Sequence, residues 1–437
     1  MPVPVAEINQ ETGLIAGSLG KVLPRESLRR VYRKLPLWAR DLISPITFNL
    51  RLRLRRAAPL PPPNNPGVTI AGLFSSACGI GEGARLQADS LEAMGIAVER
   101  IDLSPWLDQY ASLPRIPLDP QVGEGPVVIH MNPPLFSRAL QVVGNNRAKN
   151  RKIIAYWAWE LERVPQSWCK DSSKIDEFWA PSQFCADAIS RVLNRPAHVV
   201  PHPVAASTAN PDRAAFCLPQ DAFVALSFVD LNSNMSRKNP FAAIEAFLRA
   251  AENPAMAKAV LIIKLAGATD HPIQAERVRA VALSHPEHVV LLEQRLSREA
   301  RDTLIASADV VLSLHRSEGF GLTLAEAMAA GKFAIGTGWS GNLEFMTEQN
   351  ATLIPAELIK VHDYAGFYDE NLRWAEPDID AAAQALVRAA SNLGKSTVPD
   401  MRLIAQFTAA IKANPQTANL LPAPPMAGEQ LQSQFSS

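Results

Sequence analysis

Glu318 and Glu326 stand eight positions apart in the segment SEGFGLTLAEAMAAGK, one just ahead of the glycines Gly319 and Gly321, the other inside the helical stretch LTLAEAMAA that Gly331 stops. Glycines on both sides of Phe320 let a ligand come close to the backbone. The run VVLSLH before them reads as a strand. A helix that begins at the C-terminal end of a parallel strand presents unsatisfied N–H groups to the crevice and makes an anion site. Glu318 then faces the crevice, and Glu326, one to two turns into the helix, can accept hydrogen bonds from a diol such as a ribose. Early acids also suit a helix dipole, so the pair alone says little. A second glycine-rich turn, GTGWSGN, after the next strand shifts the balance toward chemistry. A hydrolase is disfavoured, because its two carboxyl groups flank the scissile bond, whereas these share one loop and helix.

Other residues could act with this pair. SRKNP offers Arg237 and Lys238, and LIIKLAG places Lys264 at a strand end. GLFSSACGIGEGARL is a glycine-rich loop between strand and helix, with Gly79, Gly81 and Gly83 permitting approach and Arg85 directed to a phosphate or an acceptor; its alternative is a tight turn serving helix packing. It does not fit G-x-G-x-x-G, which makes an NAD-dependent oxidoreductase or epimerase the weaker reading. VVIHMNPP ends in His130 and Asn132, and IIAYWAWELERVP carries Trp157, Trp159 and Glu160. Aromatic faces suit sugar C–H surfaces and Glu160 suits a hydroxyl; core packing and a helix cap are the alternatives. Ser182 reads as a helix cap and His202 as a hinge feature.

These residues need a frame, and the chain supplies two series of alternating strands and helices, which implies parallel sheets covered on both faces. A proline-rich separator, APLPPPNNPG, precedes the first series, and the polar linker near residue 205 precedes the second. The expected divisions are a basic extension at 1–66, a first domain at 67–204 completed by late helices at 388–415, a second domain at 205–387, and a tail at 416–437. DYAGFYDENLRWAEPD reads as an insertion packed at the cleft rim.

The segment around Glu318 and Glu326 resembles the signature of family 4 retaining glycosyltransferases, and the resemblance runs over roughly residues 68–415. It implies an α/β chain of the GT-B fold, two Rossmann-like domains whose parallel sheets face an interdomain cleft, transferring a hexose from a nucleoside diphosphate sugar (UDP or GDP sugar) to a saccharide or lipid-linked saccharide in surface polysaccharide biosynthesis. By the resemblance Glu318 contacts the donor sugar, Glu326 holds the ribose, and Gly319, Phe320, Gly321, Leu322 and Thr323 meet the diphosphate or sugar. Arg237 and Lys238 neutralise the phosphates, with Asp230 standing where many relatives have an arginine; which of the two reaches the diphosphate stays open. Gly79 and Gly81 lie across the cleft, Lys264 lines the nucleotide site, and Glu160 serves the acceptor. No metal and no further cofactor are expected. Loss of Glu318 is expected to lower turnover far more than stability. A catalytically inactive sugar-nucleotide-binding or scaffold protein is the alternative.

Composition sets the setting. A 437-residue chain with 47% apolar and 20% charged residues suits a folded protein of two domains. Its zero net charge hides a basic stretch: Lys21–Arg56 holds eleven Lys or Arg against two acids, a net of nine positive charges. Interleaved Trp38, Leu42, Ile43, Ile46 and Phe48 make it compatible with an anionic membrane surface, or with a solvated arm. No basic stripe elsewhere suggests nucleic acid. The four cysteines lack metal-ligand spacing, and no apolar run is long enough to span a bilayer. The expected place is the cytoplasm, including the cytoplasmic face of the inner membrane.

Overall fold

The chain divides into two compact units, Met1–Ala58 and Pro59–Ser437. The computed structural model describes residues 66–107, 113–116, 123–391 and 400–421, with Phe48 and Leu52. The basic stretch expected at a membrane therefore lies, apart from those two residues, outside the described part. Both sheets and the helices that cover them belong to the second unit.

Two six-stranded parallel sheets form the frame. The first contains β1 (Gly67–Gly72), β2 (Ala97–Asp102), β3 (Val127–His130), β4 (Ile153–Tyr156), β5 (Glu177–Ala180) and β6 (Ala197–Val199), in the order β2-β1-β3-β4-β5-β6. The second contains β7 (Val224–Asp230), β8 (Val260–Ala266), β9 (Val289–Leu292), β10 (Val310–Ser313), β11 (Phe333–Thr337) and β12 (Thr352–Ile354), in the order β12-β11-β10-β7-β8-β9. All of β1, β3 and β4 is buried. Such unbroken burial follows from helices covering both faces, and it explains why these strands read as continuous rather than alternating apolar runs.

Counting helices of eight residues or more, α1 (Gly79–Ala93), α2 (Phe136–Val143) and α3 (Gln183–Leu193) cover the first sheet. The second carries α4 (Pro240–Ala251), α5 (Pro272–Leu283), α6 (Arg298–Ser307), α7 (Leu322–Ala329) and α8 (Ile379–Ala390). These are two Rossmann-like domains, the GT-B arrangement. The order of strand addition reverses between β1 and β3 in one sheet and between β7 and β10 in the other. Ligand crevices open at such switch points, outside the C-terminal strand ends. The glycine-rich turns after β1 and β10 and the Arg237-Lys238 turn after β7 all leave from those ends.

Two features differ from the sequence reading. GIGEG is the first turn of α1 rather than a loop. A side chain at Gly81 would lie 2.4 Å from the Leu73 carbonyl, so glycine there lets the helix start hard against its strand. The expected insertion is the connection of an antiparallel hairpin, β13 (Ala356–Lys360) with β14 (Arg373–Pro377), whose Val361, Tyr368 and Trp374 join the core of the first domain. α8 packs with α4 on the second sheet, while α9 (Arg402–Ala413) places Phe407 and Ile411 in the core of the first.

Candidate active site

β10 runs into His315–Gly321, and the turn after β11 braces that loop. The Ser340 hydroxyl accepts from the Glu318 amide at 2.8 Å, and the Gly341 amide donates to the Glu318 carbonyl at 2.9 Å. His315 meets Asn342 at 3.1 Å, and Thr337 donates to the His315 carbonyl at 2.6 Å. A side chain on Gly341 would sit 2.1 Å from the Gly319 carbonyl. Gly321, at φ +91°, turns the chain into α7, which has no side-chain cap. The first N–H groups of α7, from Leu322 and Thr323, thus lack an intrahelical partner.

Two cations converge on Glu318. Lys238 Nζ lies 2.6 Å from Oε1 and Arg237 Nη1 lies 3.1 Å from Oε2. Burial alone raises the Glu318 carboxyl, but Lys238 and Arg237 outweigh it and hold the group well below the ordinary 4.5. The sharp turn that delivers both bases is built by Asn234, at φ +72°, whose side chain accepts from the Arg237 amide at 3.2 Å. Arg237 is enclosed: it donates to the carbonyls of Ser317 at 2.8 Å and Ser233 at 3.0 Å, and lies 3.6 Å from Glu160. Its side chain is 3% exposed against 19% for Lys238, so only the lysine reaches toward open space.

Glu160 joins this cluster from the first domain. Tyr368 of the hairpin connection donates to its carboxylate at 3.3 Å, and the Ser317 hydroxyl donates to its carbonyl. Trp157 and Trp159, read as sugar-facing candidates, are core residues: Trp157 packs edge-on to Phe136 and Trp168, and Trp159 Nε1 donates to the Arg163 carbonyl at 2.8 Å. Asn132 grips the Ala158 backbone, which fixes the approach to Glu160. His130 is buried against Gln87 at 2.8 Å. Arg85 is spent on its own loop, donating to the Phe74 carbonyl at 2.7 Å and the Ser76 carbonyl at 3.1 Å, rather than facing a phosphate.

Gly319 is wedged between the domains. Its carbonyl accepts from the Ser182 hydroxyl at 2.7 Å and the Cys185 thiol at 3.1 Å; burial pushes that thiol up to about 12, so it is a protonated donor. Ser182 also caps α3, as its place in the sequence suggested. Gly79 faces Leu322, since a side chain built on it would lie 3.9 Å from that leucine. His202 packs against Gly83 and edge-on to Phe320, where the two glycine-rich turns meet. Lys264 is buried, donating to the Leu265 carbonyl at 3.0 Å, and burial lowers it below 10.5.

Glu326 lies one turn into α7 with Arg301 Nη2 at 2.8 Å. Burial, against the pull of Arg301, raises its carboxyl to about 7. Sequence reasoning missed Arg298, Arg301 and Glu82, whose charges meet only after two domains assemble. It also missed Ser340, for which GTGWSGN held a signal, and it put Tyr368 at the cleft rim with the rest of its segment without finding its partner Glu160. Among the described residues no cluster of His, Cys, Asp or Glu is arranged to hold a metal ion, and no helix is long and apolar enough to cross a membrane.

With this geometry in view, the comparisons are informative. The family model described as glycosyl transferases group 1 matches residues 233–391, the segment that holds Glu318 and Glu326. A glycosyltransferase from Rickettsia africae superposes with a TM-score of 0.54 at 16% identity, over 82% of this chain and 95% of that one. Sucrose-phosphate synthase from Thermosynechococcus elongatus gives 0.52 at 17%, over 84% and 98%. HepE from Anabaena, solved with UDP and glucose, gives 0.51 at 15%, over 85% and 99%. At such identities the likeness is one of fold. No curated protein matches the sequence.

Proposed function

We propose that the chain is a retaining glycosyltransferase that moves a hexose from a nucleoside diphosphate sugar, a UDP or GDP sugar, to a saccharide or lipid-linked saccharide acceptor. The observation that carries the reading is the Glu318-Lys238 pair beside the uncapped start of α7. A diphosphate laid against the Leu322 and Thr323 amides has Lys238 as its cation, and the sugar attached to it reaches Glu318. As the bond from sugar to phosphate breaks, negative charge grows on the leaving oxygen, where fixed amide dipoles and the ammonium stabilise it. The leaving oxygen takes the acceptor proton on the same face, which preserves configuration. Arg237, enclosed on all sides, orients Glu318 and Glu160 rather than meeting phosphate. Glu160, held by Tyr368, hydrogen-bonds the acceptor hydroxyl. Glu326 holds the ribose, and Gly79 keeps the start of α1 slim where it faces Leu322.

The comparisons lend support in kind: HepE was solved with UDP and glucose, and sucrose-phosphate synthase is named for a sugar product. The basic stretch Lys21–Arg56 suits work at an anionic membrane surface, where lipid-linked acceptors reside.

The test is donor turnover. Lys238→Ala should weaken UDP or GDP binding, and Glu318→Gln should lower transfer or donor hydrolysis about 100-fold or more in protein shown to be folded. Unchanged turnover in Glu318→Gln rejects the assignment. Binding without any turnover in the native chain favours a sugar-nucleotide-binding protein instead.

A further inference from the structure

Glu326 uses only one of its two oxygens. Oε1 takes the Arg301 hydrogen bond at 2.8 Å, whereas Oε2 is buried with no partner. Leaving a buried carboxylate oxygen unpaired is costly, and the natural remedy is a donor that arrives with a ligand.

Arg301 is itself held from the other domain. Glu82, in the first turn of α1, has Oε1 3.9 Å from Arg301 Nη2 and 2.9 Å from Arg298 Nη2, the latter an ion pair outside hydrogen-bond alignment. Its other oxygen accepts from Arg85 Nε at 2.9 Å, and Arg85 is anchored to the loop after β1. Burial would raise the Glu82 carboxyl, but Arg85, Arg298 and Arg301 more than offset that and keep it ionised. A chain of alternating charges thus runs from the β1 loop across the cleft to Glu326. Its inner members are shielded, with the Glu82 and Glu326 side chains 9% and 10% exposed, so solvent screening weakens it little.

We propose that Arg301, backed across the cleft by Glu82, is the positioning residue for Glu326: it fixes one carboxylate oxygen so that the other is presented to the ribose of the nucleotide donor. The inference rests on the reading of Glu326 as the ribose ligand. It adds that ribose capture depends on closure of the two domains, because Glu82 reaches Arg301 only across the closed cleft. The groups facing Glu326 are Arg301, Arg298 and Asp302 from α6 and Glu82 from α1. The arginines favour its ionised form and the acids oppose it, so removing Arg301 must weaken the acceptor a ribose hydroxyl needs.

The experiment measures dissociation constants for whichever of UDP, GDP and ADP binds the full chain best, and for its 2′-deoxy and 3′-deoxy counterparts, on both sides of about pH 7. Native protein should prefer the ribonucleotide and lose affinity as pH falls and Glu326 takes a proton. Arg301→Met should bind about tenfold more weakly, discriminate less between ribose and deoxyribose, and need a higher pH for its best affinity. Arg301→Lys should recover part of the pH profile, and Glu82→Gln should weaken ribose discrimination as Arg301→Met does, by less, while moving the pH profile the opposite way, because an acid facing Glu326 is gone. If Glu326→Gln abolishes ribose discrimination while both Arg301 variants keep the native discrimination and pH profile, the positioning role is overturned and the ribose reading stands. If Glu326→Gln retains full discrimination, the ribose reading falls and takes this inference with it. Should Arg301→Met fail to fold, the pH profile of Arg301→Lys decides the same question.

Discussion

Glu318 and Glu326 are both shielded carboxylates on one loop and helix, yet their surroundings push them in opposite directions. Glu318 has two cations within 3.1 Å and stays ionised far below the ordinary carboxylate range. Its contribution to stability is complete above the unfolded carboxylate value and is lost as pH falls through its lower folded value. Glu318→Gln therefore carries a folding cost as well as a catalytic one, because Arg237 loses a buried partner; the sequence alone suggested a mainly catalytic effect. Glu326 has one cation and a folded value raised from 4.5 to about 7. An acid with a raised value costs stability when ionised, a cost fully present above the folded value and absent below the unfolded one. Glu326→Gln should thus make the ligand-free protein more stable by on the order of 2 kcal/mol at about pH 8, with the gain fading as pH falls toward the unfolded value. Urea midpoints at two pH values check this, and a variant less stable at the higher pH contradicts it. The spacing of the two glutamates was legible because both lie in one continuous segment. Arg298, Arg301 and Glu82 were not, because no local pattern links α6 to α1.

At the scale of elements, the His315–Gly321 loop is held by the turn after β11 and by the first domain, and glycines mark the close approaches. Gly341→Ala has no room: its methyl would press on the Gly319 carbonyl at 2.1 Å. It should cost about 1–3 kcal/mol and push the loop from its seat, lowering donor affinity with it. Denaturant midpoints and nucleotide titration on the same variant check both effects, and a native-like midpoint would contradict the packing. Ten of the twelve strands were readable because both sheets are parallel and doubly covered, so their runs are largely apolar; the edge strands β2, with its charged AVERID, and β12, only three residues long, were not. The β13–β14 hairpin was not, since AELIK and RWAEP are short and polar-edged and pair only with each other. Trp157 and Trp159 misled for a related reason: a tryptophan near a strand end suits a sugar face as well as a core, and only Phe136, Trp168 and Phe178 around them decide which.

For the whole molecule, the two domains meet through polar contacts that converge on one place. Ser182 and Cys185 hold Gly319, Gln183 meets Glu344 at 2.7 Å, Ser317 and Arg237 meet Glu160, and Glu82 reaches α6. α9 follows the second domain in the chain and packs on the first sheet. These contacts bring Glu160 of the first domain to Arg237, which pairs with Glu318 beside Lys238; on the proposed reading the acceptor carboxylate so meets the donor pair. The most direct measurement is a crystal structure of the chain with its preferred nucleoside diphosphate sugar. The account predicts phosphates on the Leu322 and Thr323 amides with Lys238 turned from Glu318 to meet them, and the sugar against Glu318. A donor bound outside this cleft, or one bound within it while Lys238 keeps its pairing and Glu318 touches no sugar atom, would contradict it.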